Sequence, residues 1–199
     1  MKTRGPTTGE RRRRVEKAFG DLLDALGHAR RPGLRRTARR AAQLWLERLV
    51  PAQTRSPAEI FRRSPATVNP TPVVVRGIGM HLVCPHHLTV ALGTATVGYI
   101  PTDRLAGFGS LAELVAGCTN GLVLQEDATQ AIADALVGHL HARAAAVHIS
   151  AVHPCHNLAV PRSHSARAET WATAGEPGAL RLLHRLLLPA APPTRGRGK

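Results

Sequence analysis

Apolar residues in the first third of the chain recur at helical spacing. The spacing predicts a first helix over residues 14–26, and its apolar positions are Val15, Phe19, Leu22, Leu23 and Leu26. Pro32 and Gly33 interrupt this pattern. A second helix is expected over residues 37–50, with Thr37 as a possible N-cap and Pro51 ending it.

The pattern then changes from helical spacing to strand-like runs. Residues 56–72 contain four prolines and predict an irregular loop. Residues 73–76 are rich in β-branched side chains, and residues 89–100 resemble a longer strand with possible bulges at Gly93 and Gly98. Helices and strands that alternate without the long crossovers of parallel sheets predict an α+β fold.

The second half of the chain continues this mixture. Residues 125–143 give the strongest helical pattern, with an apolar stripe through Ala128, Ile132, Ala135, Leu136 and Leu140. Residues 157–175 are ambiguous. The remaining expected elements are a short helix over 110–116, a strand over 146–152 and a Leu-rich helix over 180–188.

A length of 199 residues fits one domain with a helical extension. The chain has no apolar run of about 20 residues that could span a membrane. Its polar, Arg-rich start does not resemble a secretory signal, so a soluble cytoplasmic protein is expected. The expected divisions are a disordered basic arm over 1–13, a helical region over 14–70, a catalytic domain over 71–188 and a disordered basic tail over 189–199.

The formal net charge of +14 would attract polyanions in general. Much of it lies in the two termini and in an arginine cluster over residues 30–40. A nucleic-acid partner is nevertheless not expected, because aromatic residues make up only 3% of the chain and no DNA-binding motif spacing occurs.

Two short segments combine cysteine with histidine. They are Cys84-Pro85-His86-His87 and His153-Pro154-Cys155-His156, and Cys118 is the remaining cysteine. An odd number of cysteines argues against a disulfide framework. Three ligands of this kind leave a coordination place for water, which is the catalytic arrangement of zinc. Spacing alone leaves two interpretations open, since buried cysteines are common and 11 histidines cluster partly by chance; Cys118 is expected to be a buried core residue.

Several blocks together resemble the GTP cyclohydrolase I family. The family's Cys-Glu-His-His corresponds to Cys84-Pro85-His86-His87, and its Tyr-Ile-Pro strand end to Tyr99-Ile100-Pro101. Its Val-Gln-Glu segment is similar to Leu124-Gln125-Glu126, and its second zinc segment to Ala151-Val152-His153-Pro154-Cys155. The N-terminal helices are also similar, so the resemblance covers most of residues 15–175.

The resemblance implies a site and a reaction. It makes Cys84, His87 and Cys155 ligands of Zn²⁺, and His86 and His153 the catalytic histidines. Zinc-activated water would open a purine ring at C8 and release formate, towards a dihydropterin. The substrate-binding positions that it implies are Gln125, Glu126 and Arg40. A carboxylate at Glu126 would hold the guanine edge; alternatively, Glu126 is a solvated residue favoured by the helix dipole.

The resemblance also implies an architecture. It predicts a tunnelling fold (T-fold), an antiparallel sheet with helices on one face, preceded by N-terminal helices. The family assembles as a ring-shaped homo-oligomer, usually a decamer, with active sites between subunits. Arg40 would therefore act across a subunit interface on a small purine nucleotide.

The chain departs from the family where the triphosphate is held. The family's basic residues at four positions are replaced, and those positions are Ser110, Glu113, Ala159 and Gln43. Arg104, Arg162 or Arg167 could substitute for them. The resemblance thus implies a preserved ring-opening centre with an altered substrate grip. Two alternatives stay open: a paralogue acting on a less phosphorylated purine or related heterocycle, and an inactive binding subunit.

Overall fold

A computed structural model of the protein describes residues 7–28, 31–52, 54–159 and 166–187. Short 3₁₀ and π-helical segments occupy Pro32–Leu34 and Trp45–Leu49. The α-helices in these ranges are α1 (Thr8–Ala25), α2 (Thr37–Leu44), α3 (Pro57–Phe61), α4 (Phe108–Thr119), α5 (Gln125–Gly138), α6 (Pro154–Ala159) and α7 (Pro177–Leu187). The strands are β1 (Val73–Val83), β2 (Val90–Ile100), β3 (Ala144–Val152) and β4 (Ala168–Gly175).

The four strands form one antiparallel sheet in the order β1-β2-β3-β4. The predicted α+β class is confirmed. Because β1 and β3 both run antiparallel to β2, their carboxyl ends lie at the same edge of the sheet. Val83 pairs with Val90, and Val152 pairs with Leu92, so both strands end beside the start of β2. The segments that follow Val83 and Val152 are therefore neighbours.

Helices pack on both faces of the sheet. One buried cluster joins the inward residues of the strands, such as Val147, with side chains of two helices. These are Leu111 and Leu114 of α4, and Ile132 and Leu136 of α5. On the opposite face, Leu183 of α7 packs with Ala144 and Ala146 of β3. The main core thus lies between the sheet and helices α4 and α5, and α7 covers one end of the other face, where no helix was predicted.

The N-terminal helices form a pair beside the sheet. Phe19 of α1 packs on Trp45, with ring centroids 5.8 Å apart. Helix α1 begins at Thr8, earlier than predicted, because the Thr7 side chain and the Glu10 carboxylate form a capping box. The expectation of a disordered arm was therefore wrong for residues 8–13; residues 1–6 and the predicted tail lie outside the described ranges.

Two further expectations need correction. The proline-rich loop contains α3, which starts because Ser56 and Glu59 form a second capping box and Pro57 suits the first turn. The bulges expected in β2 are absent from its pairing with β3, which is in continuous register. The irregularity lies instead in β1, where Gly77 has a φ of 73°. Gly93 is needed for close approach, since a Cβ there would lie 2.2 Å from the Ser150 carbonyl oxygen.

Helix α5 ends at Gly138, before the predicted end at Arg143. His141 takes a left-handed φ of 60°, and the Ala142 N–H donates to the Leu136 carbonyl, a bond that closes the helix end. The ambiguous stretch 157–175 contains the end of α6 and all of β4. Within the described residues, no helix combines the length and apolar character needed to cross a membrane.

Candidate metal centre and its cavity

The first cysteine–histidine segment is a tight turn between β1 and β2. The Leu88 N–H donates to the Cys84 carbonyl, and the Cys84 N–H donates to the Thr89 carbonyl. Pro85 fits the second position of such a turn because its φ is fixed and its missing N–H is not needed. Leu88 adopts a φ of 54°, a conformation unusual for a branched side chain. The turn holds Cys84 buried and leaves His86 and His87 exposed.

The second segment opens helix α6 directly after β3. Pro154 occupies the first helical position, where a proline is readily accommodated. The N–H groups of His156 and Asn157 both donate to the His153 carbonyl, closing the first turn. His153 and Cys155 are both half-buried in this arrangement.

The sheet edge brings three ligand-type side chains together. The Cys84 Sγ lies 3.7 Å from the His87 Nδ1 and 3.9 Å from the Cys155 Sγ. The three ligand atoms all lie within 4.8 Å of one another. All three cysteines are free thiols, so no disulfide occupies this place. The cluster could hold a metal ion.

The distances fit a tetrahedral zinc site. With Zn–S bonds of about 2.3 Å and Zn–N bonds of about 2.0–2.1 Å, tetrahedral geometry separates two sulfurs by about 3.8 Å and sulfur from nitrogen by about 3.6 Å. Burial raises the pKa of the Cys84 thiol, but hydrogen bonds from the His87 ring, from backbone N–H groups and from Cys155 outweigh it and lower the pKa to about 6. The lowered pKa favours the thiolate form of Cys84, which is the form that a metal requires.

His153 is held by the side chain of Gln125. The Gln125 Oε1 lies 2.8 Å from the His153 Nε2. The Gln125 amide nitrogen faces three oxygens, those of Ile149, Ala168 and the Thr170 hydroxyl. Those acceptors fix the orientation of the amide, so Oε1 is an acceptor and His153 donates from Nε2. Only the Nδ1 of neutral His153 is then available to take up a proton.

Burial also affects the charge of His153. Desolvation lowers the pKa of His153, the nearby Glu126 carboxylate acts in the opposite direction, and His156 lowers the pKa further. Neutral imidazole is thus favoured near pH 7. Gln125 itself is buried, with 3% of its surface exposed, and both of its amide protons are used within the protein. The role predicted for Gln125 in substrate binding stays a prediction.

A cavity of about 460 Å³ opens over the cluster. His86, Glu126 and His153 line it together with the three ligand-type residues. The apolar part of the cavity wall consists of Leu82, Val123 and Leu124. The bond from the Val83 N–H to the Gly121 carbonyl brings the segment before α5 alongside the end of β1, which explains why Glu126 lies near Cys84. The predicted metal-ligating, catalytic and guanine-binding positions therefore share one cavity.

Arg167 also lines this cavity. Its Nε donates to the Ser150 Oγ at 2.7 Å, and its Nη2 donates to the Ser150 carbonyl at 2.9 Å. Arg104, another suggested substitute, instead donates to the carbonyls of Phe61 and Arg62 and does not line the cavity. Arg162 lies outside the described residues.

Arg40 is not brought to the metal cluster within one chain. It is exposed on α2 and lines a separate basic cavity with Arg35 and Arg36. Its predicted action across a subunit interface stays a prediction. Glu113, at one of the altered phosphate positions, is paired with Arg55 at 2.9 Å, so its charge is balanced within the chain.

Sequence reasoning did not identify the bond between Gln125 and His153 or the support of Arg167 by Ser150. Both depend on three-dimensional packing. Helix α5 bonds to β3 and β4 through Gln125, and Ser150 pairs with Glu169 across β3 and β4, with Arg167 two residues before Glu169. His156 lines the cavity as well. The sequence signal that could have identified His156 as a cavity residue was its place in the second cysteine–histidine segment.

Comparison with known proteins gives one consistent family. Residues 15–181 match the family described as GTP cyclohydrolase I. The chain is 37% identical over 162 residues to GTP cyclohydrolase 1 of Chromobacterium violaceum, spanning 81% of this chain and 79% of that protein. It is 35% identical over 164 residues to the protein of that name from Ralstonia nicotianae, spanning 82% and 78% of the two chains. The corresponding protein of Corynebacterium aurimucosum is 36% identical over 165 residues, spanning 81% and 84%.

Proposed function

Because the chain belongs to the GTP cyclohydrolase I family and has its T-fold, we propose that it is a zinc-dependent hydrolase that opens the imidazole ring of a guanine nucleotide at C8 and releases formate. The observation that carries the proposal is the spacing of Cys84, His87 and Cys155, which matches a tetrahedral zinc site with one place left for water.

The three ligand-type residues would hold the ion, and the rest of the cavity would act on the substrate. Zinc in such a site lowers the pKa of a water ligand and so supplies a nucleophile near neutral pH. Glu126, on the cavity wall, would accept hydrogen bonds from the N1–H and the exocyclic amine of guanine. A base without that pair of donors would leave the carboxylate unsatisfied, which favours guanine over adenine.

Two histidines would handle protons. His153 is held neutral by burial, and Gln125 fixes its Nε2 as a donor, so its Nδ1 would take up and deliver the proton. His86 is exposed on the cavity wall beside His87, with ring centroids 6.2 Å apart. An exposed imidazole at this place would exchange protons with solvent during the reaction.

We infer that Gln125 acts on the reaction by orienting His153. Gln125→Leu removes the acceptor for His153 Nε2, and kcat for formate release is expected to fall roughly 10- to 100-fold, the range for groups that orient functional histidines of metal sites. KM and zinc content should stay near their original values. Steady-state kinetics with metal analysis checks this expectation.

The matched control for Gln125 is Gln130→Leu, which changes an exposed glutamine on the same helix whose side chain donates to Asp134. It should leave both constants unchanged. If Gln125→Leu instead raised KM with kcat unchanged, the residue would be a substrate-binding group, as the family resemblance implies, and its role as an orienting residue would be wrong.

A second candidate function is a related reaction on a less phosphorylated purine. The observation that favours it is the state of the altered phosphate positions: Glu113 is ion-paired with Arg55, and Gln43 donates to Glu47. Neither offers a positive charge to a phosphate. An inactive binding subunit is the remaining alternative, although the metal cluster and both catalytic histidines argue against it.

We propose further that the protein assembles as a ring-shaped homo-oligomer with sites between subunits. The location of Arg40 supports this, since its cavity is separate from the metal cluster within one chain. The oligomer would supply Arg40 to a neighbouring site.

The test of the proposed reaction is formate release from zinc-loaded protein. GTP, GMP and guanosine are supplied separately, and we expect formate from at least one guanine compound and none from ATP. Because the cations of the family are replaced, GTP should bind no more tightly than GMP. Zinc-loaded, folded protein that released no formate from any guanine compound would rule out the proposed reaction.

A further inference from the structure

Arg167 is the permanently charged cation of the metal cavity. Among the described residues that line the cavity, no other arginine or lysine occurs. The lining also includes the Glu126 carboxylate, which carries the opposite charge. A ligand with several negative charges would be repelled by Glu126 unless a cation on the wall compensated for it.

The guanidinium is held in place and is only partly used. Ser150 accepts from the Nε and from one Nη2 proton, through its hydroxyl and its carbonyl. Arg167 forms no ion pair with any residue in the described ranges. Of the five N–H groups of a guanidinium, three therefore have no acceptor from the described part of the chain. They can serve a ligand in the cavity.

The support behind Arg167 continues away from the cavity. The Ser150 hydroxyl donates to the Glu169 carboxylate at 2.7 Å. Glu169 also contacts the His148 ring, which is stacked on Trp171 with ring centroids 4.0 Å apart. The pKa of the Glu169 carboxyl is lowered, chiefly by the hydrogen bond from the Ser150 side chain. His148 and Arg167 lower it by smaller amounts. A side chain fixed at two points loses less entropy on binding a ligand than a free one.

We propose that Arg167 is the specificity-determining residue that binds a phosphate group of the nucleotide in this cavity. This inference rests on the proposed function, because it takes a guanine nucleotide as the ligand. The planar fork of an arginine matches the oxygens of one phosphate in a bidentate manner. One fork of this kind would bind one phosphate group, so a second or third phosphate would gain nothing from Arg167 itself.

The proposal predicts a selective loss of affinity for phosphorylated ligands. In zinc-loaded Arg167→Ala, affinity for GMP and for GTP is expected to fall by a similar factor of roughly 10- to 100-fold, as for a lost charge-assisted hydrogen bond. Affinity for guanosine should not change. Isothermal titration of the full chain with the three ligands measures this, and formate assayed in the same samples corrects for the heat of any turnover.

Two further variants separate charge from folding. Arg167→Gln can still bond to Ser150 but has no charge, so it should show the same selective loss even if the alanine variant is unstable. Arg167→Lys should recover part of the affinity for GMP and GTP. The control is Arg181→Ala, an exposed arginine on α7 that does not line the cavity and should have no effect.

The outcomes are distinct from those that test the reaction. An unchanged ratio of nucleotide to guanosine affinity in folded Arg167→Gln would overturn the proposal, and so would an equal loss for guanosine, which would mean a structural role. Absence of formate release by the original protein would overturn the proposed reaction. The ratio of nucleotide to guanosine affinity would still test the role of Arg167 in binding phosphate.

Discussion

Cys155→Ala is expected to lose tightly bound zinc and formate release together. The variant removes one of three ligand atoms, leaving Cys84 and His87 at 3.7 Å as an incomplete set. Since an ion of this kind contributes several kcal/mol to catalysis, activity should fall by about 10³-fold or more. Metal content per chain and formate release are measured on the same preparation.

The control for this variant is Cys118→Ala. Cys118 is packed against the main core, where burial raises the pKa of its thiol to about 11, so it is a poor metal ligand. Its replacement can lower stability but should leave zinc content at the original level. Full metal and full activity in Cys155→Ala would refute the assignment of Cys155 as a ligand.

His153→Ala should separate metal binding from proton transfer. Zinc should remain bound, because His153 is not part of the ligand cluster. We expect kcat to fall by roughly 10²- to 10⁴-fold, the usual contribution of a general acid–base group. The measurement is kcat for formate release at fixed zinc occupancy, with added imidazole as a test of rescue.

His139→Ala is the matched control for His153. His139 is exposed at the end of α5 and does not line the cavity, so its removal should not affect kcat. Loss of zinc in His153→Ala would show that the histidine supports the metal centre. Unchanged kcat with zinc bound would exclude it from the reaction.

The metal cluster was within reach of sequence reasoning, whereas its supports were not. Two cysteine–histidine segments at the ends of expected strands, together with the family's motif order, were sufficient to name Cys84, His87 and Cys155. The structure explains why they meet: β1 and β3 flank β2 and end at one edge. Without strand order, the spacing of the two segments along the chain does not predict contact.

The partners of Gln125 and Arg167 depend on three-dimensional packing. Gln125 lies in a motif that the resemblance connects with substrate, but its side chain turns into the protein and bonds to Ile149 and Ala168. Arg167 was one of several possible cations, and only the pairing of β3 with β4 places it beside Ser150. Local pattern contains no signal for bonds between residues so far apart in sequence.

Helix ends were the least predictable part of the fold. The capping boxes at Thr7 and Ser56 start helices in stretches that the apolar pattern had assigned to an arm and a loop. Both boxes have a Glu three residues after the hydroxyl residue, which is a readable signal. Apolar periodicity alone does not include this signal, because it lies in polar residues: Thr7 and Glu10 in one box, Ser56 and Glu59 in the other.

The most direct test of the zinc centre is X-ray absorption at the zinc edge of the full-length protein loaded with one equivalent of zinc. The account predicts two sulfur ligands at about 2.3 Å and two nitrogen or oxygen ligands at about 2.0–2.1 Å, one of them exchangeable with solvent. A shell without sulfur, or with four sulfurs, would contradict it.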